Sequence, residues 1–507
     1  MVLLIGATPA RFAAVLAVYV AALMALRLAL FPGGSDDDAE ILYYTQSWAF
    51  AYKSGQPPLY AWIVMAAESI LGPTMAAVAI VKYAALGLFY WFAYKAAGRL
   101  LKSGLFAALA PLGLMACFFI GWEAAVNYSH TILLMAAMAA TTWLTLRLED
   151  HARPLNYLML GAAIAVGLLA KFNFLLFLVP FVLAAAMHGP LRGRVMSAPF
   201  WLMLAGAAAV AALPLNLGQT IQSSAPDLAR VVGADGWRAA AVARGLWQFA
   251  LSSLGLLTPF IVISVALFPR AFGRLPAWDD GLGAVLLLLE IYLITLTAVC
   301  VIVIVATGAA DVRNNWLVVW FPAVFYVLLR IKIYVESREG ADVARRFRLF
   351  SGVLLLIALA IPLGMALRAA TAPDACRKCN FFIPYAAIAA KVRKAGFMGG
   401  TIIAQDWPNQ LAGNLRRYFP DSRAISTRWR DYTPPGRDKA GGQTGGKCLL
   451  IWRGDAKAGG EVRDEALKRP GISVPAATVI HRVSLPTPRA KNRKIAWTYM
   501  IVENAGC

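Results

Sequence analysis

The chain is 507 residues long, 60% hydrophobic and only 15% charged, with a formal net charge of +21. That balance excludes a soluble globular protein and fits a polytopic helical membrane protein. The charge is uneven: residues 371–507 hold 23 Lys and Arg against 10 Asp and Glu. Such a basic segment suits anionic lipid headgroups or phosphorylated glycans, or serves solubility and attraction to a membrane surface.

Apolar stretches predict spans at 12–31, 74–97, 103–121, 127–148, 155–170, 172–188, 197–216, 249–268, 283–306, 314–331 and 349–370. The first is longer than a signal-peptide core and lacks a small-residue cleavage site, so it reads as an uncleaved span. Residues 57–72 are expected to form an amphipathic interfacial helix with Trp62 and Glu68 near headgroups. Residues 155–188 form either one long span or a helical hairpin turning at Lys171-Phe172-Asn173. The Lys/Arg asymmetry arbitrates. With the hairpin, one side collects Lys95, Arg99, Lys102, Arg147, Arg153, Arg192, Arg194, Arg270, Arg274 and the basic run 330–348. Arg27, Lys53, Lys171, Arg230, Arg238, Arg244 and Arg313 are left opposite. The prediction is therefore about eleven transmembrane helices, with the N-terminus inside and the C-terminal segment outside. The hairpin arms, about sixteen residues each, are short for a full crossing, which leaves a re-entrant geometry open.

The expected organisation is an all-α transmembrane domain over 1–370, with outer loops 32–73 and 217–248, followed by a small soluble α/β domain over 371–507. In the latter, 400–404 and 448–452 read as buried strands, 385–395 and 408–418 as helices, and 433–447 as a disordered Pro/Gly/Lys loop. Cys117 and Cys300 lie in apolar runs as packing residues. Cys376, Cys379, Cys448 and Cys507 are disulfide candidates if that domain faces an oxidising compartment. The Cys376-x-x-Cys379 spacing also suits zinc, but no second close pair or suitable histidine follows.

Carboxylates near hydrocarbon are costly, so the Asp36-Asp37-Asp38 triplet with Glu40, directly after the first span, is the leading pointer to chemistry. One carboxylate would deprotonate an acceptor hydroxyl while a neighbour orients it or binds a divalent metal ion. The competing reading is an acidic turn capping the next helix. Glu123, Asn127, Ser129 and His130 cluster at the outer end of the fourth span, either as a proton or phosphate site or as a helix cap. Lys171 and Asn173 at the hairpin tip suit a lipid phosphate, with snorkelling as the alternative. Arg313 and Asn315, within Asp311-Val-Arg313-Asn314-Asn315-Trp316, form a phosphate clamp or an interface anchor. Lys82 and Glu290 are charges inside spans, and Glu290 has no obvious partner. No nucleotide-phosphate loop, nucleophile elbow or metalloprotease motif occurs. An enzyme of this kind with an external active face needs an activated substrate delivered through the lipid. A lipid or sugar transporter is the competing class; it predicts ionisable residues near the bilayer midplane.

Asp37-Asp38-Ala39, followed by aromatics and Pro57-Pro58-Leu59-Tyr60, resembles the Asp-Glu-Ala…Pro-Pro-Leu pattern of the class C glycosyltransferases in the protein O-mannosyltransferase-like superfamily. Its bacterial members include the lipid A aminoarabinose transferase and polyprenyl-phosphate-dependent galacturonosyltransferases. Gly167 to Asn173 is similar to that group's Lys-Tyr-Asn/Thr turn, and Arg313-Asn-Asn-Trp316 with Pro322 to its late-span start, so the likeness covers about residues 10–335. The resemblance implies inverting transfer from a polyprenyl-phosphate sugar to a hydroxyl of an envelope lipid, glycan or protein, on the periplasmic face of a bacterial inner membrane. It implies no nucleic acid partner and no certain cofactor. Carried over, Asp37 is the base, Asp38 takes the family's usual glutamate position, and Lys171 and Arg313 hold the departing phosphate. Two departures stand out: Gln56 is neutral where relatives often carry a basic residue, and three aspartates leave the register open by one.

Overall fold

The computed structural model describes residues 8–34, 36–50, 52, 56–217, 238–274, 280–338, 340–375, 380–405, 411–427, 434, 446–454, 456–468, 473–475, 478–488 and 494–503. The chain forms two compact units. A bundle unit comprises Met1–Leu23, Gly55–Leu59 and Lys82–Leu363; a sheet unit comprises Met24–Ser54, Tyr60–Val81 and Gly364–Cys507.

Helices α1 (Pro9–Leu30), α2 (Asp36–Tyr44), α3 (Leu59–Leu71), α4 (Met75–Leu101), α5 (Gly104–Met115), α6 (His130–Arg147), α7 (Pro154–Ala170), α8 (Phe174–Met187), α9 (Gly189–Val195), α10 (Ala198–Leu217), α11 (Ala239–Leu257), α12 (Phe260–Leu267), α13 (Asp280–Thr307), α14 (Pro322–Glu336) and α15 (Ala341–Ala375) follow in order. Among the described residues six helices are long and apolar enough to cross a bilayer. Two bent pairs, α8 with α9 (114°) and Asn314–Trp320 with α14 (40°), raise that to eight. At 13 residues, α3 is shorter than a crossing requires.

Inside the bundle unit α6 is buried on nearly every face, from Thr131 through Leu146. Its Ala and Thr side chains let α7 approach closely, as small residues do between membrane helices. The chain breaks between α7 and α8 at Lys171, whose backbone is extended (φ −166°, ψ 139°). Gly167 helps fix this break, because a Cβ there would meet the Phe174 ring at 2.3 Å. The isolated charge Glu290 also finds partners: Tyr326 Oη donates to it at 3.1 Å, and Arg330 lies 3.9 Å away. Lys82 donates to the Val126 carbonyl at 2.9 Å.

The eighth apolar stretch differs from expectation. The helix there begins at Ala239 and ends at Leu257, and the short α12 follows the Thr258-Pro259 step. Val242, Gly245, Phe249 and Leu256 face inward at helical spacing, so an amphipathic pattern carries the helix into what reads as a polar loop. Proline supplies no N–H to continue it. The rest of that loop, 218–237, lies outside the described residues.

The sheet unit holds five strands, β1 (Thr401–Ala404), β2 (Arg423–Ser426), β3 (Lys447–Arg453), β4 (His481–Pro486) and β5 (Lys494–Glu503), in the order β2-β1-β3-β5-β4. β1 runs parallel to β2 and β3, whereas β5 is antiparallel to β3 and β4. Helices α16 (Tyr385–Lys394), α17 (Leu411–Arg416) and α18 (Ala456–Leu467) accompany them. β1 and the middle of β3 are buried throughout, as parallel strands covered on both faces are. Cys448 is disulfide-bonded. Cys376, Cys379 and Cys507, like most of the 433–447 loop, lie outside the described residues.

Within this unit α17 lies against α2. A Cβ on Gly413 would meet the Ala39 carbonyl oxygen at 1.9 Å, so only glycine permits the approach. Gly34 N donates to Asn414 Oδ1 at 2.8 Å, and Arg417 Nη1 to the Pro32 carbonyl at 2.9 Å. Gln46 brackets Ala424 of β2: its amide nitrogen donates to the Ala424 carbonyl at 3.0 Å, and its Oε1 accepts from Ala424 N at 2.7 Å. Glu68 departs from the interfacial position expected for it. It is buried, accepting from Arg416 Nη2 at 2.9 Å and from Thr45 Oγ1 at 2.7 Å, because a neighbouring guanidinium offsets the cost of removing it from water.

Candidate active site

The acidic triplet forms the first turn of α2, where free amides and the helix dipole favour negative charge. Arg27, in the last turn of α1, organises it. Its Nη1 donates to the Phe31 carbonyl at 2.8 Å, and its Nη2 to the Gly33 carbonyl at 2.8 Å and to Asp38 Oδ2 at 2.9 Å. The two side chains are 2% and 1% exposed. The guanidinium also lies under the Phe31 and Phe381 rings, 5.7 and 5.2 Å from their centroids. Asp38 is thereby committed to a buried ion pair, whereas Asp37 and Glu40 are half-buried. Tyr60 is buried beside them. Burial first, then the charges of Asp38 and Asp37, push its phenol well above the ordinary range, so it remains a hydrogen-bond donor at neutral pH.

A second group of candidates belongs to the bundle unit. Lys171, 6% exposed, donates from Nζ to Thr131 Oγ1 at 2.9 Å. His130 hydrogen-bonds to the Ala170 backbone nearby. Asn173 Nδ2 donates weakly to the Trp316 carbonyl at 3.4 Å. The Oδ1 atoms of Asn173 and Asn315 are both buried without a hydrogen-bond partner among the described residues. An unmade bond of this kind costs free energy that a ligand donor would recover. Arg313 is 64% exposed and touches Asp311 at 3.6 Å, an open pair that leaves its guanidinium available. Glu123 ends a π-helical turn, Phe119–Glu123, and accepts from Asn127 Nδ2 at 2.6 Å. Gln56 is half-buried just before Pro57.

The predicted residues thus fall into two sets: Asp37, Asp38 and Glu40 in the sheet unit, and Gln56, Glu123, His130, Lys171, Asn173, Arg313 and Asn315 in the bundle unit. Among the described residues no group of three or more His, Cys, Asp or Glu gathers to hold a metal ion, and Asp38 already serves Arg27. Arg27, Arg416, Asn414 and Thr131 escape the sequence reading. Only Arg27 carried a signal, as the one charge in the last turn of the first apolar helix, next to three aspartates.

A bundle of apolar helices with a small mixed sheet defines a multi-pass membrane fold with an appended α/β unit. The solved ArnT from Cupriavidus metallidurans, bound to undecaprenyl phosphate, shares it, with a TM-score of 0.57 over 95% of this chain and 96% of that one, at 13% identity. Residues 55–216 match the dolichyl-phosphate-mannose-protein mannosyltransferase family. The lipopolysaccharide core galacturonosyltransferases RgtA and RgtB of Rhizobium johnstonii are each 28% identical to this chain. The matches cover 87% and 92% of this chain, and 86% and 92% of those proteins. Together these likenesses support kinship with the protein O-mannosyltransferase-like superfamily of class C glycosyltransferases, and the apolar helices are those of a multi-pass membrane protein.

Proposed function

We propose that the protein transfers a sugar from a polyprenyl-phosphate donor to a hydroxyl of an envelope lipid or glycan, at the periplasmic face of the inner membrane and with inversion. The observation that carries this reading is the division of labour in the first turn of α2. Asp38 pairs with Arg27 in a sealed site, and Asp37 is the half-buried neighbour in the same turn, which the family likeness assigns as the base. Asp37 takes the acceptor O–H proton as the acceptor oxygen attacks the anomeric carbon. The bond from that carbon to the phosphate oxygen breaks, and its electron pair leaves with the polyprenyl phosphate. On the family likeness alone, Lys171 and Arg313 of the bundle unit take the charge of the departing phosphate; within that unit the orphaned amide oxygens of Asn173 and Asn315 suit sugar hydroxyls. The lipopolysaccharide-core relatives favour a glycolipid acceptor, and the surplus of basic residues in 371–507 suits its phosphates.

The test is transfer by the purified chain from a panel of polyprenyl-phosphate sugars to lipopolysaccharide core acceptors. Transfer that survives in both Asp37→Asn and Asp37→Asn/Asp38→Asn sinks the mechanism. Alkylation of Cys448 after reduction and mild unfolding, by an impermeant reagent applied from the periplasm, tests the orientation. Labelling only from the cytoplasm reverses it.

A further inference from the structure

A second polar constellation lies in the bundle unit, at the far end of α6 from Lys171. Thr131, which receives the Lys171 bond, opens α6, and Arg147 closes it. About 24 Å of helix separates them at 1.5 Å per residue, most of a bilayer's hydrocarbon thickness. There a cavity of about 670 Å³ is lined by Lys95, Arg99, Lys102, Arg147, His151 and Trp143. That volume is in the range of small-ligand sites. No carboxylate occurs among the described residues lining it. Asp150, 56% exposed, binds both Nη atoms of Arg99 at 2.6 and 2.7 Å and so neutralises one cation of the set.

Two of the cations rest on aromatic faces. Lys95 Nζ lies 5.7 and 5.8 Å from the Trp91 and Trp143 ring centroids, and the Arg147 guanidinium lies 5.4 Å from Trp143. The N-terminus of α5, capped by Ser103, opens on the same wall. Lys102 next to it holds a left-handed backbone (φ 47°), which non-glycine residues seldom adopt. Basic residues kept only to orient a membrane protein need not converge on one concavity. The rim includes Pro9, the start of α1, which exposes Val15 and Val18 at apolar positions where acyl chains would run.

We propose that this cavity binds the phosphate headgroup of an anionic phospholipid from the leaflet at that face, a site separate from the chemistry at the other end of α6. Binding of phosphatidylglycerol or phosphatidylcholine to the detergent-solubilised full chain, followed by native mass spectrometry, tests it. Phosphatidylglycerol binds and phosphatidylcholine does not. Lys95→Gln/Arg147→Gln weakens phosphatidylglycerol binding by roughly 25-fold, about fivefold per cation removed. Asp150→Asn frees Arg99 and tightens binding several-fold, a gain that misfolding cannot mimic. Equal binding of phosphatidylcholine, displacement of the lipid by inorganic phosphate at comparable concentration, or no tightening in Asp150→Asn overturns the proposal.

Discussion

Arg27 and Asp38 are each nearly sealed from solvent, and their pairing at 2.9 Å offsets part of the hydration each has lost. Replacing one partner of such a pair strands a buried charge, at a cost of about 3–5 kcal/mol. Asp38→Asn and Arg27→Ala should therefore lower the thermal unfolding temperature of the detergent-solubilised protein sharply. Asp37→Asn should leave that temperature nearly unchanged while turnover falls roughly 10²- to 10⁴-fold, the usual contribution of a general base. A reversal of this pattern, with Asp37 structural and Asp38 dispensable to the fold, shifts the register by one. Tyr60 adds a pH signature. Its phenol holds its proton more tightly in the folded state than in the unfolded chain. Above the unfolded value of about 10 the folded form carries the extra proton, so its stability contribution is full below that pH and is lost as pH rises further. Unfolding temperatures between pH 9 and 11.5 should fall less steeply in Tyr60→Phe than in the parent.

Two glycines act at the scale of whole elements. Gly413 lets α17 touch the α2 backbone, and a side chain there collides with the Ala39 carbonyl, which cannot swing aside as a flexible side chain would. Gly413→Val should displace the turn bearing Asp37 and depress both stability and transfer, whereas Gly460→Ala, with open space around its Cβ, should change neither. Thermal unfolding and turnover of the two variants side by side check this. Sequence periodicity was a good guide where an element is decided locally. The break at Lys171-Phe172-Asn173 follows from punctuation, and the apolar runs 400–404 and 448–452 fall on strands Thr401–Ala404 and Lys447–Arg453. It failed at α11, where Arg238, Arg244 and Gln248 disguise an amphipathic helix as a loop. It failed again at Glu68, whose partner Arg416 lies 348 positions away. Charge and position alone mark the aspartate triplet, Lys171 and Arg313 as candidates; the choice of Asp37 as base comes from resemblance to a family pattern. What sets the two aspartates apart is Arg27, a three-dimensional fact that spacing does not contain.

At the scale of the molecule, the sheet unit is assembled from three separate stretches of chain, two of them lying before residue 82. β2 is the outermost strand on its side of the sheet, and the side-chain amide of Gln46 occupies the backbone groups of Ala424 that would otherwise face outward. A tail expressed alone from about residue 371 would lack this cover and would present a bare strand edge, a template for self-association. Size-exclusion chromatography should find that fragment as soluble oligomers or precipitate. Supplying residues 24–81 in trans should return it toward a monomeric complex, unless Gln46→Ala is introduced into the added segment. The stretches before residue 82 would then serve the last part of the chain as an intramolecular chaperone, made before its client emerges.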